Sequence, residues 1–127
     1  MNTYTDMEAL RAWHERLFAA EKAADLEACL TVHEQGIRLL GPGMPPIEGL
    51  AAMREWYTGI FGSVGMASVT YIPVVDEIEV DNVPAYAIGR YRWGDECGRY
   101  LNNMKRQPDG SWKCSLHMHY PDPAVTL

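Results

Sequence analysis

Apolar residues return every three or four positions through the first half of the chain and every second position through much of the rest, so helices come first and strands afterwards. Leu10, Trp13, Leu17 and Phe18 mark one side of a first helix. Thr5 stands as its N-cap, with Glu8 three residues on to complete a capping box. A second helix is predicted over residues 25–34, with Leu26, Cys29, Leu30 and His33 on one stripe. Gly36 ends it, and residues 37–40 form a short strand. A third helix over residues 50–60 presents Met53, Trp56, Tyr57 and Ile60 on one side before the glycines of residues 62–65 stop it.

From Ala67 the period changes to two. Residues 69–75 form a strand, carried on through 76–82 as Ile78 and Val80 alternate with Glu77, Glu79 and Asp81. Residues 85–93 and 99–107 pair through a hairpin loop at 94–98, and residues 111–120 follow the turn Pro108-Asp109-Gly110. Helices followed by an antiparallel meander make an α+β domain: three N-terminal helices packed in a strongly curved, mostly antiparallel sheet. The inner face of such a sheet is filled by side chains or by a ligand. The cluster of prolines and glycines at residues 41–46 is too short for a linker, so residues 1–127 form a single domain.

Composition narrows the partners. A net charge of −6 supplies no basic face for nucleic acid or an anionic membrane. No apolar run reaches membrane-spanning length, and the first residues lack both parts of a secretion signal. Cys29, Cys97 and Cys114 are odd in number and have no metal-type spacing, which points to reduced thiols and a cytoplasmic protein.

Helix opening Asp25-Leu26-Glu27, short strand, Gly/Pro turn, Pro46-Ile47-Glu48-Gly49, aromatic helix and late Asp109-Gly110-Ser111-Trp112 follow one another in an order and at separations that resemble the ketosteroid isomerase-like (SnoaL-like, nuclear transport factor 2-like) superfamily. The resemblance covers about Ala19 to Pro123 and implies a cone-shaped fold with an apolar pocket. It also implies a homodimer joined through the convex sheet face. The isomerase's own machinery is missing. Its helix-one tyrosine corresponds to Leu17, its aspartate base to Gly41 before Pro42, and its aspartic acid donor to the Asn102-Asn103-Met104 neighbourhood. Trp56 and Tyr57 do stand where the family places an aromatic pair.

The remaining polar candidates lie late in the chain. His117 and His119 are two apart on a strand, so both rings share a face, and histidine titrates near neutral pH. The opposite set, Cys114, Leu116, Met118 and Tyr120, reads equally well as core, which would turn the histidines to the dimer face. A third ligand such as Glu96, His33 or Asp122 would make the pair a metal site, but no spacing fixes one. Asn103, in preference to Asn102, could donate to a developing enolate oxygen. Trp13, Leu17, Trp56, Tyr57, Tyr86, Ile88 and Met104 read as pocket wall, and His14 and His33 as satisfied histidines at the edge of the core, with His14 the nearer to the cavity mouth. Arg90 and Arg92 read as an exposed pair beside acidic neighbours such as Glu77 or Glu79.

These residues point to a cofactor-free, metal-free enzyme for proton transfer of the lyase, dehydratase, isomerase or cyclase kind. Its substrate would be a small apolar, aromatic or polycyclic molecule. A non-catalytic binding or assembly module of the same fold is the competing reading, and a hydrolase the third.

Overall fold

The computed structural model describes residues 3–63, 65–81 and 84–127. In chain order they form α1 (Thr3–Lys22), α2 (Leu26–Thr31), β1 (His33–Leu40), β2 (Ile47–Glu48), α3 (Leu50–Ser63), a 3-10 turn (Met66–Ser68), β3 (Tyr71–Glu79), β4 (Ala85–Trp93), β5 (Glu96–Arg106) and β6 (Trp112–Pro121). The last residue of the strand expected over 76–82 lies outside the described residues.

The six strands run in the order β2-β1-β6-β5-β4-β3. Every neighbouring pair is antiparallel except β1 with β6, which is parallel. That parallel pairing sets the early strand β1 beside the last strand β6. Leu10, Trp13 and Leu17 of α1, Met53 and Tyr57 of α3, and the inward residues Ile37, Leu39, Ala87 and Met104 of the sheet share one core. The α+β architecture expected from the pattern is present, but the sheet is not strongly curled. It is open at β2 and β3, and its β-pairings break register at only three places, where bends can concentrate.

Three local expectations are corrected. Thr5 lies inside α1 and does not cap it. The second helix is one short segment, capped by Asp25, whose carboxylate accepts from the Ala28 N–H at 3.2 Å, and it stops at Thr31. His33 already belongs to β1, because its backbone pairs with Cys114 across the parallel ladder and tertiary pairing overrides the helical stripe. The stretch Pro46 to Gly49, read as a turn, contains the two-residue strand β2 against Arg38 and Leu39.

Two register breaks decide which side chains face inward. In β6, Asn103 pairs with Leu116 and Met104 with Cys114, so Ser115 is the extra residue of a bulge. Cys114 and His117 therefore face the same way although their numbers differ in parity. In β3, Val75 pairs with Gly89 and Glu77 with Ile88, leaving Asp76 as the extra residue. Its carboxylate takes Arg90 in a two-point ion pair on the outer face, at 2.7 and 2.8 Å. Between β4 and β5 the turn is Gly94-Asp95, with Gly94 at φ 62 as a tight hairpin requires.

Candidate active site

A cavity of about 320 Å³ opens between α1, α3 and the inner face of the sheet. Its wall is mostly aromatic. Phe18 comes from α1, Trp56, Tyr57 and Phe61 from α3, and Tyr71, Tyr91, Trp93 and Tyr100 from the strands. Tyr57 and Phe61 stack at 5.4 Å, and Trp56 meets Tyr57 edge-on at 5.0 Å. Two strand tyrosines lie flat across glycines of the neighbouring strand. Tyr100 faces Gly89 and Tyr91 faces Gly98, and a Cβ on either glycine would meet the ring within 2.7 Å.

The polar groups form two poles. At the first, four side chains are joined in a line. His14 Nδ1 lies 2.7 Å from the carbonyl of Leu10, one turn back on α1, and a carbonyl can only accept. Nδ1 is therefore the protonated nitrogen, and Nε2 accepts from the Asn102 amide N–H at 3.1 Å. This orients the Asn102 oxygen toward His117, whose Nδ1 donates to it at 2.7 Å. His117 Nε2 is then an acceptor and receives the Nδ1–H of His119 at 3.1 Å. The line ends at His119, whose Nε2 is left unprotonated and whose ring stands in the cavity wall. Burial depresses His14 to about 4 and His117 to about 3, so both are neutral at physiological pH. His119 is also lowered by burial, while the carboxylate of Glu96 pulls it back up. Glu96 itself stands at the cavity wall with the Tyr91 hydroxyl donating to it at 2.6 Å.

The second pole is Glu21. Tyr71 donates to one of its oxygens at 2.7 Å and Tyr57 to the other at 2.9 Å. Burial nevertheless outweighs both hydrogen bonds and raises its carboxyl to about 6. His33, whose Nδ1 donates to the carbonyl of Cys29 at 2.6 Å, lies between the poles in the wall and is lowered to about 4 by burial.

Of the residues expected from the sequence, His117, His119, Leu17, Trp56 and Tyr57 meet at this cavity. Asn103 does not. It alternates with buried Asn102 and faces the outer side, so the amide in the site is Asn102. Trp13 is fully buried beneath the wall, its indole N–H held by the Val32 carbonyl at 3.1 Å. Met104 is core, and Tyr86 lies on the outer face between Ala85 and Ala87. Of the two earlier histidines, His33 on β1 and not His14 on α1 lines the cavity. Arg90 pairs with Asp76 instead of Glu77 or Glu79. Among the described residues no group of three histidine, cysteine or acidic side chains is placed to hold a metal ion, and the three cysteines are free thiols.

Glu21 and Tyr71 were absent from the sequence reading. A signal for Glu21 existed: Trp13, Leu17 and Glu21 are spaced by four, so a carboxylate sits on the apolar stripe of α1.

No protein-family model matches the sequence, and no curated protein matches it. Solved structures do match the fold. A ketosteroid isomerase-like protein from Erwinia carotovora atroseptica superposes with a TM-score of 0.78 at 16% identity, over 95% of this chain and 98% of that one. A proposed dehydratase of the NTF2-like family from Streptomyces avermitilis gives 0.76 at 18%, over 97% and 100%. A proposed calcium/calmodulin-dependent protein kinase type II association domain from Thiobacillus denitrificans gives 0.75 at 20%, over 88% and 94%. The chain thus has the nuclear transport factor 2-like, ketosteroid isomerase-like fold. At such identities the likeness extends to the fold alone.

Proposed function

We propose that this protein is a cofactor-free enzyme that moves a proton on a small, largely apolar, aromatic or polycyclic molecule, in a reaction of the lyase, dehydratase, isomerase or cyclase kind. One observation carries the reading: a line of hydrogen bonds running from the Leu10 carbonyl through His14, Asn102 and His117 leaves Nε2 as the unprotonated nitrogen of His119, a histidine in the wall of an aromatic cavity. His119 takes a proton from a substrate carbon and returns it to another carbon or to a leaving group. The imidazolium formed in between is stabilised by Glu96 and keeps its Nδ1–H on His117. The position that resembles the isomerase's base supports this. Gly41 lacks a side chain, and a Cβ there would stand 3.0 Å from His119 Nε2, so the ring occupies the ground a side chain at 41 would reach into.

Kinetics on His119→Gln and His117→Gln decide it. Loss of a positioned base costs ~10²–10⁴-fold in rate. His119→Gln should bind an aromatic ligand but turn it over at that reduced rate, and His117→Gln should fall between it and the native protein. Full turnover in His119→Gln would remove the assignment.

The outer face of the sheet favours a homodimer. Ile88, Leu101 and Met118 stand side by side across β4, β5 and β6, with Met118 40% and Tyr120 51% exposed. Sedimentation should give a dimer at micromolar concentration, and Leu101→Lys should give a folded monomer. No described helix is long and apolar enough to cross a membrane.

A further inference from the structure

We propose that the molecule taken by this cavity carries a cationic nitrogen on a flat apolar body. The proposal rests on reading the cavity as the site of action and adds the charge of its substrate. The first observation is the sign of the wall. Glu21 and Glu96 line it, and among the described residues no lysine or arginine does. Among the described residues, the ion pairs of Glu27, Asp76, Asp122, Glu34 and Asp6 use other carboxylates than these two. Glu21 has two phenol donors but no positive charge, and a carboxylate inside a protein is ordinarily paired with one. An anionic ligand would meet repulsion here, and a cationic one the missing partner.

The second observation is the aromatic surface. Trp56, Tyr57, Tyr71, Trp93 and Tyr100 line the same space, and the faces of such rings attract organic cations. The third concerns the chemistry. Removing a proton from carbon leaves an electron pair that needs a home, ordinarily an oxygen held by hydrogen-bond donors. The hydroxyls of this wall are already committed: Tyr57 and Tyr71 to Glu21, Tyr91 to Glu96, and Tyr100 to the Val74 carbonyl at 2.9 Å. A substrate with a C=N⁺ group needs no such donor. His119 Nε2 takes the proton from the adjacent carbon, the C–H pair becomes a C=C bond, and the C=N π pair moves onto nitrogen. A neutral enamine remains, the positive charge now sits on His119 beside Glu96, and the reverse flow returns the proton at the same or another carbon.

Three bicyclic probes of one shape test this on the native protein: N-methylquinolinium, 1-methylnaphthalene and 1-naphthoate, followed by quenching of tryptophan fluorescence and by calorimetry. N-methylquinolinium should bind at least tenfold more tightly than 1-methylnaphthalene, and 1-naphthoate more weakly than either. Glu21→Gln should reduce the affinity for N-methylquinolinium about tenfold and leave that for 1-methylnaphthalene unchanged, while His119→Gln should preserve the native order. Equal or tighter binding of either other probe, an unaltered preference in Glu21→Gln, or binding of none of the three would overturn the proposal. No turnover is measured, so a failed cation preference leaves the His119 assignment standing, and an active His119→Gln leaves the ligand class standing.

Discussion

At the scale of single residues, Gly41 is a packing surface for the base. A methyl group there would stand 2.9 Å from Met44 Sδ and 3.0 Å from His119 Nε2. Gly41→Ala should displace the imidazole and lower turnover by ~10²-fold, since a catalytic group misplaced by about an ångström costs that much. A melting temperature near the native one alongside that loss is the expected result, and unchanged kinetics would contradict it. Glu21 bears on stability as well as binding. Its carboxyl rises from an ordinary 4.5 to about 6 on folding, so the favourable, protonated state is fully present below 4.5 and is lost as the pH rises through about 6. Above pH 7 the ionised group destabilises the fold by up to about 2 kcal/mol. Glu21→Gln should therefore raise stability by about that amount at pH 8 in urea titrations and make little difference at pH 4.5. With His119 as the proposed base, the acid side of the activity profile should follow its titration. Its lowered value places the limb below the ordinary 6.5, and kcat/KM should be level above pH 7.

At the scale of elements, β4 and β5 are held by two reciprocal glycine–tyrosine crossings. A Cβ at Gly89 would stand 2.0 Å from the Val74 carbonyl of β3 and 2.5 Å from the Tyr100 ring of β5, so β4 would have to move away from β3 and displace the ring. Gly89→Ala should cost more than about 3 kcal/mol by denaturant titration, at the upper end for a single substitution. Much of this level was legible in the sequence. The order of helices and strands, the hairpin at Gly94 and the aromatic face of α3 follow from period and turn chemistry. What escaped is what depends on partners distant in the chain. Ser115 is an ordinary strand residue until β5 fixes the register around it. The shift it introduces joins Cys114 to the inward set with His117, while Leu116, Met118 and Tyr120 turn outward. Strict alternation along β6 puts Cys114 on the wrong side, and on β5 the apolar neighbours Leu101 and Met104 leave the parity of Asn102 and Asn103 ambiguous. His33 was taken for helix because its stripe fitted, and only the parallel partner β6 makes it a strand residue.

At the scale of the whole molecule, three buried neutral histidines tie α1, β1 and β6 to one pH range. His14 and His33 fall from 6.5 to about 4 and His117 to about 3. A depressed value contributes stability above 6.5 that is lost as the pH drops toward the folded value, because the unfolded chain takes up the protons first. Each histidine then costs ~1.4 kcal/mol per pH unit, with Glu21 opposing by a similar amount between 4.5 and 6. The net loss over two units is comparable to the ~5–15 kcal/mol that holds an ordinary domain together. Urea midpoints should decline steeply from pH 6.5 to 4.5, with a net uptake of about two protons on unfolding. A flat profile over that range would mean the rings are solvated.

The Leu10 carbonyl acts on the far side of the cavity as a message acts on its reader. It accepts one hydrogen bond from His14, and from that choice each ring and amide down the line has a single consistent state, ending with the unprotonated Nε2 of His119. His33, held separately by the Cys29 carbonyl, takes the same Nδ1–H form, so all four histidines share it. Nitrogen-15 spectra at pH 7.5 should show four such rings and no Nε2–H ring. Asn102→Leu would erase the message midway: His14 should keep its form, while His117 and His119 lapse into mixtures of tautomers.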